Sequence, residues 1–146
     1  MKVRPAALII KNNCVLLLQY NYAGVDVFGL PGGNPDPGET LAETLERELA
    51  EELGIEIEVK KMCIVGEVIL PQLKNDVLHC VFEAHIVAGR PSPNPTQTTA
   101  LEAVWKPIDQ LGALNLYPNV GHQIGVFLEN QNAPVYVGKV AQSYFG

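Results

Sequence analysis

Three carboxylates, Glu48, Glu51 and Glu52, stand within one helical turn directly after Arg47, in the run GNPDPGETLAETLERELAEELGI from Gly33 to Ile55. Like charges three and four positions apart on a helix repel, so such a cluster points to a cation placed among them. Carboxylate oxygens suit a hard divalent ion, and magnesium is normally shared between one or two of them and a substrate phosphate. The Arg47 guanidinium can orient a glutamate through a bidentate pair and lower its pKa. Just upstream, Leu30-Pro31-Gly32-Gly33 supplies paired glycines, which open backbone conformations closed to other residues and let carbonyls approach a metal. It is not a P-loop, because no Gly-Lys-Ser/Thr ends it.

The element that must carry these acids reads as a helix over Thr40 to Leu53. Thr40-x-x-Glu43 forms a capping box at its start, and Gly54 stands where a left-handed C-cap belongs. At about 100° per residue, Leu41, Leu45, Leu49 and Leu53 make a core stripe, and Glu48, Glu51 and Glu52 border and partly overlap it. Glu43 and Glu46 fall on another side and read as solvated charges. Around the helix the pattern is strand-rich. Pro5 to Ile10 and Val15 to Tyr20 read as a hairpin across Lys11-Asn12-Asn13. Gly29 to Gly38 reads as a loop. Ile55 to Val59, Met62 to Leu70, Val77 to Ala88, Glu102 to Ile108 and Val135 to Val140 read as further strands. Pro71 to Asp76 and Asp109-Gln110-Leu111 read as turns, Gly89 to Thr99 as a flexible loop, and Pro118 to Asn130 as a second helix. The pattern predicts an α/β fold of α+β type: one domain over residues 1–146, with a mixed sheet and helices packed on it.

The chain has 146 residues, 47% hydrophobic and 18% charged, with 10 Lys+Arg against 16 Asp+Glu and a net charge of −6. No basic stripe is visible, which argues against nucleic-acid partners, and no apolar run approaches a membrane span. Cys14, Cys63 and Cys80 sit singly in apolar runs and read as buried thiols of a reducing compartment. A cytoplasmic location is the expectation.

The fixed residues of this run are those of the Nudix hydrolase box: Gly33, Glu39, Arg47, Glu48, Leu49, Glu51, Glu52, Gly54 and Ile55 fill every position at the right spacing. The chain therefore resembles that family over Gly33 to Ile55, and its strand order resembles the family's α/β/α sandwich. The resemblance implies magnesium-dependent hydrolysis, with manganese as a substitute, of a pyrophosphate bond in a nucleoside diphosphate linked to another group. It implies metal binding by Glu48, Glu51, Glu52 and the Gly33 carbonyl, a positioning role for Arg47, and support of the loop–helix junction by Glu39. Glu102, shortly before Trp105, resembles the family's downstream acid, with a surface charge as the equal alternative. Glu83 stands behind it as an unpaired charge within a strand.

Markers of the substrate are sparse. No SQPWPFP-like motif occurs, Gln19-Tyr20-Asn21 stands where the coenzyme A signature expects arginine, and the tyrosine associated with diadenosine polyphosphates is missing. Pro71, sixteen residues after Ile55, is close to the proline linked to ADP-ribose pyrophosphatases. A small nucleotide is expected, ADP-ribose or a nucleotide sugar ahead of a nucleoside triphosphate of MutT type, and these ahead of a non-catalytic sensor. Tyr20 and Phe28 are candidate base- or sugar-stacking residues, with packing as their other reading. Tyr22 is equally open, and His79 and Phe82 read as packing residues. A homodimer is expected of such a family member.

Overall fold

Asn12 and Asn13, with left-handed φ of 53° and 59°, close the hairpin between β2 (Ile10–Lys11) and β3 (Cys14–Tyr22), as the Asn pair predicts. The computed structural model describes residues 1–130 and 133–146. β1 (Lys2–Leu8) does not join that hairpin; it pairs in parallel with β6 (Val77–Ala88) in a different sheet. The reason lies in its pattern. Ala6 and Leu8 feed one core cluster while Ala7 and the following Ile9 feed another, and a strand buried on both faces has to lie between two packed layers. Pro5 is tolerated because β1 is an edge strand.

The strands therefore divide between two sheets. One has the order β1-β6-β5-β9, with β5 (Glu56–Val68) antiparallel to β6 and parallel to β9 (Val135–Lys139). The other joins β2, β3, β4 (Val25–Gly29) and β8 (Leu116–Tyr117), with β7 (Glu102–Pro107) along the free side of β3. Ile55 to Leu70, expected as two strands, yields one strand with register shifts around Met62; a bulge absorbs the break in alternation at Lys60-Lys61. β4 and β8 were missed. β4 follows a turn whose Ala23 and Gly24 both have positive φ, and β8 is only two residues long. The expected turn after β7 is a 3₁₀ segment, Ile108–Ala113.

The two helices cover opposite faces of the first sheet. α1 (Leu41–Leu53) packs Leu45, Leu49 and Leu53 with Ala7, Ile9, Ile57 and Ala84. α2 (Gly121–Glu129) packs Ile124 and Phe127 with Ala6, Leu8, Ile64 and Val81, a cluster shared with the second sheet. This is the expected layering of helix, sheet and helix. Among the described residues no helix is long and apolar enough to cross a membrane.

Candidate active site

Local signals place Glu48 and Glu52 beside the buried face as the sequence predicts, whereas Glu51, expected there too, is exposed because its position on the wheel lies farther from the leucine stripe. The Thr40 hydroxyl accepts from the Glu43 N–H while the Glu43 carboxylate accepts from the Thr40 N–H, a reciprocal cap that fixes the first turn of α1. Gly54 ends the helix at φ 66° with its N–H on the Ala50 and Leu49 carbonyls, the left-handed exit that favours glycine. Between these ends the acids separate by burial. Glu48 and Glu52 are half-buried beside the leucine stripe, whereas Glu43, Glu46 and Glu51 are exposed.

Arg47 is the hub. Its Nε and Nη2 donate to both oxygens of Glu39 at 2.7 and 3.0 Å, a fork-to-fork pair. Nη1 donates to Glu48 and to Glu51, each at 3.2 Å, and Nη2 also reaches the Asn34 carbonyl at 3.1 Å. Glu39 accepts from the Asp36 N–H at 2.8 Å and from the buried Thr44 hydroxyl at 3.1 Å. Above all the Arg47 fork, then the Asp36 N–H, hold Glu39 down to about 2. Arg47 in turn is pushed up, mainly by its bond to Glu39. Glu39 thus stays ionised and ties the loop before α1 to the helix. Asp36, whose carboxylate lies 3.3 Å from Arg47, and Thr44 were missed by the sequence reading. Thr44 was findable, as a polar residue on the leucine face of the wheel.

The glycine pair serves a different purpose from the one anticipated. Neither Gly32 nor Gly33 has a positive φ. What they supply is space. A Cβ on Gly32 would lie 2.3 Å from the Pro5 carbonyl oxygen, and one on Gly33 would lie 2.2 Å from Cδ of Glu48. The loop is docked on β1 by the Ala7 N–H to the Pro31 carbonyl at 2.8 Å and the Gly33 N–H to the Pro5 carbonyl at 3.3 Å. Gly33 thereby lies directly against a box carboxylate.

Glu52 is pushed up to about 7 by burial first, then by the charge and hydrogen bond of neighbouring Glu48; Arg4, on β1, opposes this. Among the described residues no three acidic, histidine or cysteine side chains are grouped to hold a metal as they stand; Glu48 and Glu51 both accept from Arg47 Nη1, each at 3.2 Å. The donor chemistry nevertheless fits a divalent cation. Glu48 and Glu52 are close enough to share a proton, half-buried and oxygen-only, and one or two carboxylates plus substrate phosphate are what magnesium takes.

Around the pair lie groups that the sequence did not bring together. A cleft of about 430 Å³ beside Glu52 is lined by Tyr20, Gln97, Thr96, Thr98 and Thr99. The segment expected to be flexible is tied there by the Ser92 and Asn94 N–H groups, which donate to the Leu53 and Glu52 carbonyls. Tyr20 stacks on Tyr22, centroids 6.1 Å apart. Arg4 is near enough for its charge to act on Tyr20, Glu52, His79 and Tyr117. His79 is buried and pairs with the Tyr117 hydroxyl through Nε2 at 3.2 Å. Phe28, by contrast, is a core residue with the Lys106 ammonium 5.2 Å from its ring centroid. Phe82 packs against the α1 cluster. Glu102 is exposed at the start of β7 opposite Gln19, and its carboxylate makes no hydrogen bond or ion pair among the described residues. Glu83 pairs with Leu8 in the sheet and its charge acts on Cys63.

A family model described as NUDIX domain matches residues 1–128. A putative 8-oxo-dGTP diphosphatase of Bacillus subtilis (strain 168) is 28% identical over 127 residues, covering 87% of this chain and 80% of that protein. Among solved structures, a NUDIX hydrolase from Nitrosomonas europaea matches with a TM-score of 0.75 at 22% identity, over 92% of this chain and 93% of that one. An ADP-ribose pyrophosphatase from Streptococcus suis 89-1591 matches with a TM-score of 0.67 at 21% identity, over 94% and 97% of the two chains. These two likenesses speak to the fold.

Proposed function

The chain belongs to the Nudix family and is a Nudix pyrophosphohydrolase; from that premise we propose that it cleaves the diphosphate of a nucleotide joined to a sugar, of the ADP-ribose or nucleotide-sugar type. The supporting observation is the hydroxyl- and amide-lined cleft beside Glu52, built from Tyr20, Gln97, Thr96, Thr98 and Thr99. Its donors and acceptors suit a polyhydroxylated ring.

Glu48 and Glu52, with Glu51 and the Gly33 carbonyl, are the residues that would hold magnesium or manganese. The bound ion would neutralise the diphosphate and acidify the attacking water. The chain's own groups do the rest. Arg47 keeps Glu48 oriented and Glu39 ionised, so the acids are placed before substrate arrives and need little reorganisation during reaction. Glu102 is the proposed downstream acid, near the strand start that follows the threonine cleft. Arg4 offers a cation to the substrate from β1. Hydrolysis yields a nucleoside monophosphate and a phosphorylated sugar.

A second reading, a nucleoside triphosphate as substrate, is favoured by the Bacillus subtilis relative, which is named for an oxidised deoxynucleoside triphosphate. The deciding measurement is kcat/KM with magnesium over ADP-ribose, UDP-glucose, dGTP and 8-oxo-dGTP, with Glu52→Gln as control. The sugar-linked diphosphates should lead by about tenfold or more, and Glu52→Gln should lower turnover by about 10²-fold or more. A lead for the triphosphates would install the second reading. Tight binding without turnover of any substrate would make the protein a sensor.

A further inference from the structure

We propose that a second cleft, sharing no residue with the box, binds a nucleoside monophosphate. It has a volume of about 690 Å³, within the range of small-molecule sites. Of its apolar lining, Ile86 and Trp105 are half-buried and pack on the α1 cluster with the fully buried Ile9, while Ile10 packs on the other cluster. Its polar members are Lys11, His85 and Arg90, and no carboxylate lines it. In a chain with 16 Asp+Glu against 10 Lys+Arg, a cleft lined by Lys11 and Arg90 and by no carboxylate marks a site for an anion.

Lys11 and Arg90 are open to a ligand. Among the described residues neither Lys11 nor Arg90 has an ion-pair partner. The carboxylate opposite His85 in the sheet, Glu58, is bonded by Lys60 at 2.6 Å and also interacts with His85, which leaves Lys11 and Arg90 as the cations offered to a ligand. Arg90 follows Gly89, whose φ is 88° and where a Cβ would lie 2.5 Å from the Gly54 carbonyl oxygen. The Ser92 N–H then anchors the chain to the Leu53 carbonyl at 3.1 Å. Arg90 is thus presented from a segment pinned to the end of α1. Lys11 is presented from the mouth of the Asn12-Asn13 turn, with Trp105 opposite Leu16 on the neighbouring ladder. An indole flanked by apolar side chains takes a planar aromatic ring. Cations at the rim take a phosphate, for which arginine offers a bidentate fork. One ligand carrying both parts at this size is a mononucleotide. The site is independent of which substrate the box cleaves.

Trp105 is the only tryptophan in the chain, so its fluorescence reports this cleft directly. The experiment titrates the whole protein with AMP in EDTA, and separately with adenosine and with inorganic phosphate. AMP should change Trp105 emission saturably, with adenosine and phosphate each binding more weakly. The double variant Lys11→Ala/Arg90→Ala, in which both residues are exposed, should fold normally and weaken AMP binding by about tenfold or more, as losing charge-assisted contacts implies. Glu52→Gln should leave the AMP response unchanged. No saturable response, adenosine binding as tightly as AMP, or full binding by the double variant would each overturn the proposal.

Discussion

Gly32 and Gly33 are neighbours with the same side chain, yet each leaves room for a different partner. At Gly32 the obstacle to a methyl group is the Pro5 carbonyl oxygen at 2.3 Å, a backbone atom of β1; at Gly33 it is the end of the Glu48 side chain at 2.2 Å. A backbone cannot step aside without unpairing the strand, whereas a carboxylate can turn. Gly32→Ala should therefore cost about 2 kcal/mol or more of stability, as overpacking does. Gly33→Ala should keep its melting temperature within a few degrees and lose turnover by about tenfold or more, because Glu48 is displaced from its place beside Glu52. Thermal melts and initial rates on the two variants check this, and equal effects on both quantities would refute the division. The box was legible in sequence because its members are tied by helical spacing and one short loop. The spacing did not say that one nitrogen of Arg47 would hold Glu48 and Glu51 together, each at 3.2 Å. Nor could it supply Arg4, Tyr117 and the threonines of 96–99, which come from distant parts of the chain and meet only through the sheets.

At the scale of the element, α1 is where sequence and structure agree closely, since its start and stop are local chemistry. The Thr40 hydroxyl and the Glu43 carboxylate each satisfy an N–H that the first turn would otherwise leave bare. Removing the hydroxyl in Thr40→Ala should cost about 1 kcal/mol, a fall of roughly 3 °C in Tm for a chain of this size. The Thr40 hydroxyl bonds the Glu43 N–H and makes no bond within the Arg47 network, and its carbonyl, which accepts from Thr44, is kept in the variant, so kcat at 25 °C should stay within about twofold of the parent. A large fall in kcat with Tm unchanged would place Thr40 in the site instead. Strands were less legible for a physical reason. A strand's partner is chosen by which faces must be buried, and β1 shows it: its residues suit a hairpin locally, while burial on both faces sends it to β6. Short β8 exists only through its pairing with β4.

Over the whole molecule, His79 offers a measure of how the sheets and loops close on one another. It pairs with Arg4 across the β1–β6 ladder, with Gly66 on β5, and with Tyr117 edge-on at 5.1 Å from the second sheet. It is 1% exposed, and its Nδ1 has no hydrogen-bond partner. Its place within an alternating strand predicts a packing residue, and burial agrees. Burial first, then the Arg4 charge, lower its pKa from 6.5 to about 4. The sign follows directly. Between pH 6.5 and 4 the unfolded chain binds a proton at His79 that the folded protein refuses, so the folded state loses stability as the pH falls through that window and no further below it. The full loss is about 3 kcal/mol for a shift of this size. Glu52 acts the other way: its carboxyl, raised to about 7, takes up a proton in the folded state first and gains stability on the same descent. A raw stability curve sums the two, so the informative quantity is the difference between the parent and His79→Gln, measured by urea unfolding at pH 7, 6, 5 and 4. Their gap should shrink by about 3 kcal/mol on going to pH 4, because only the parent meets the cost of charging an imidazole there. A gap that stays constant over the whole range would mean that His79 is protonated inside the fold, and that the contact between the two sheets at Tyr117 opens to water.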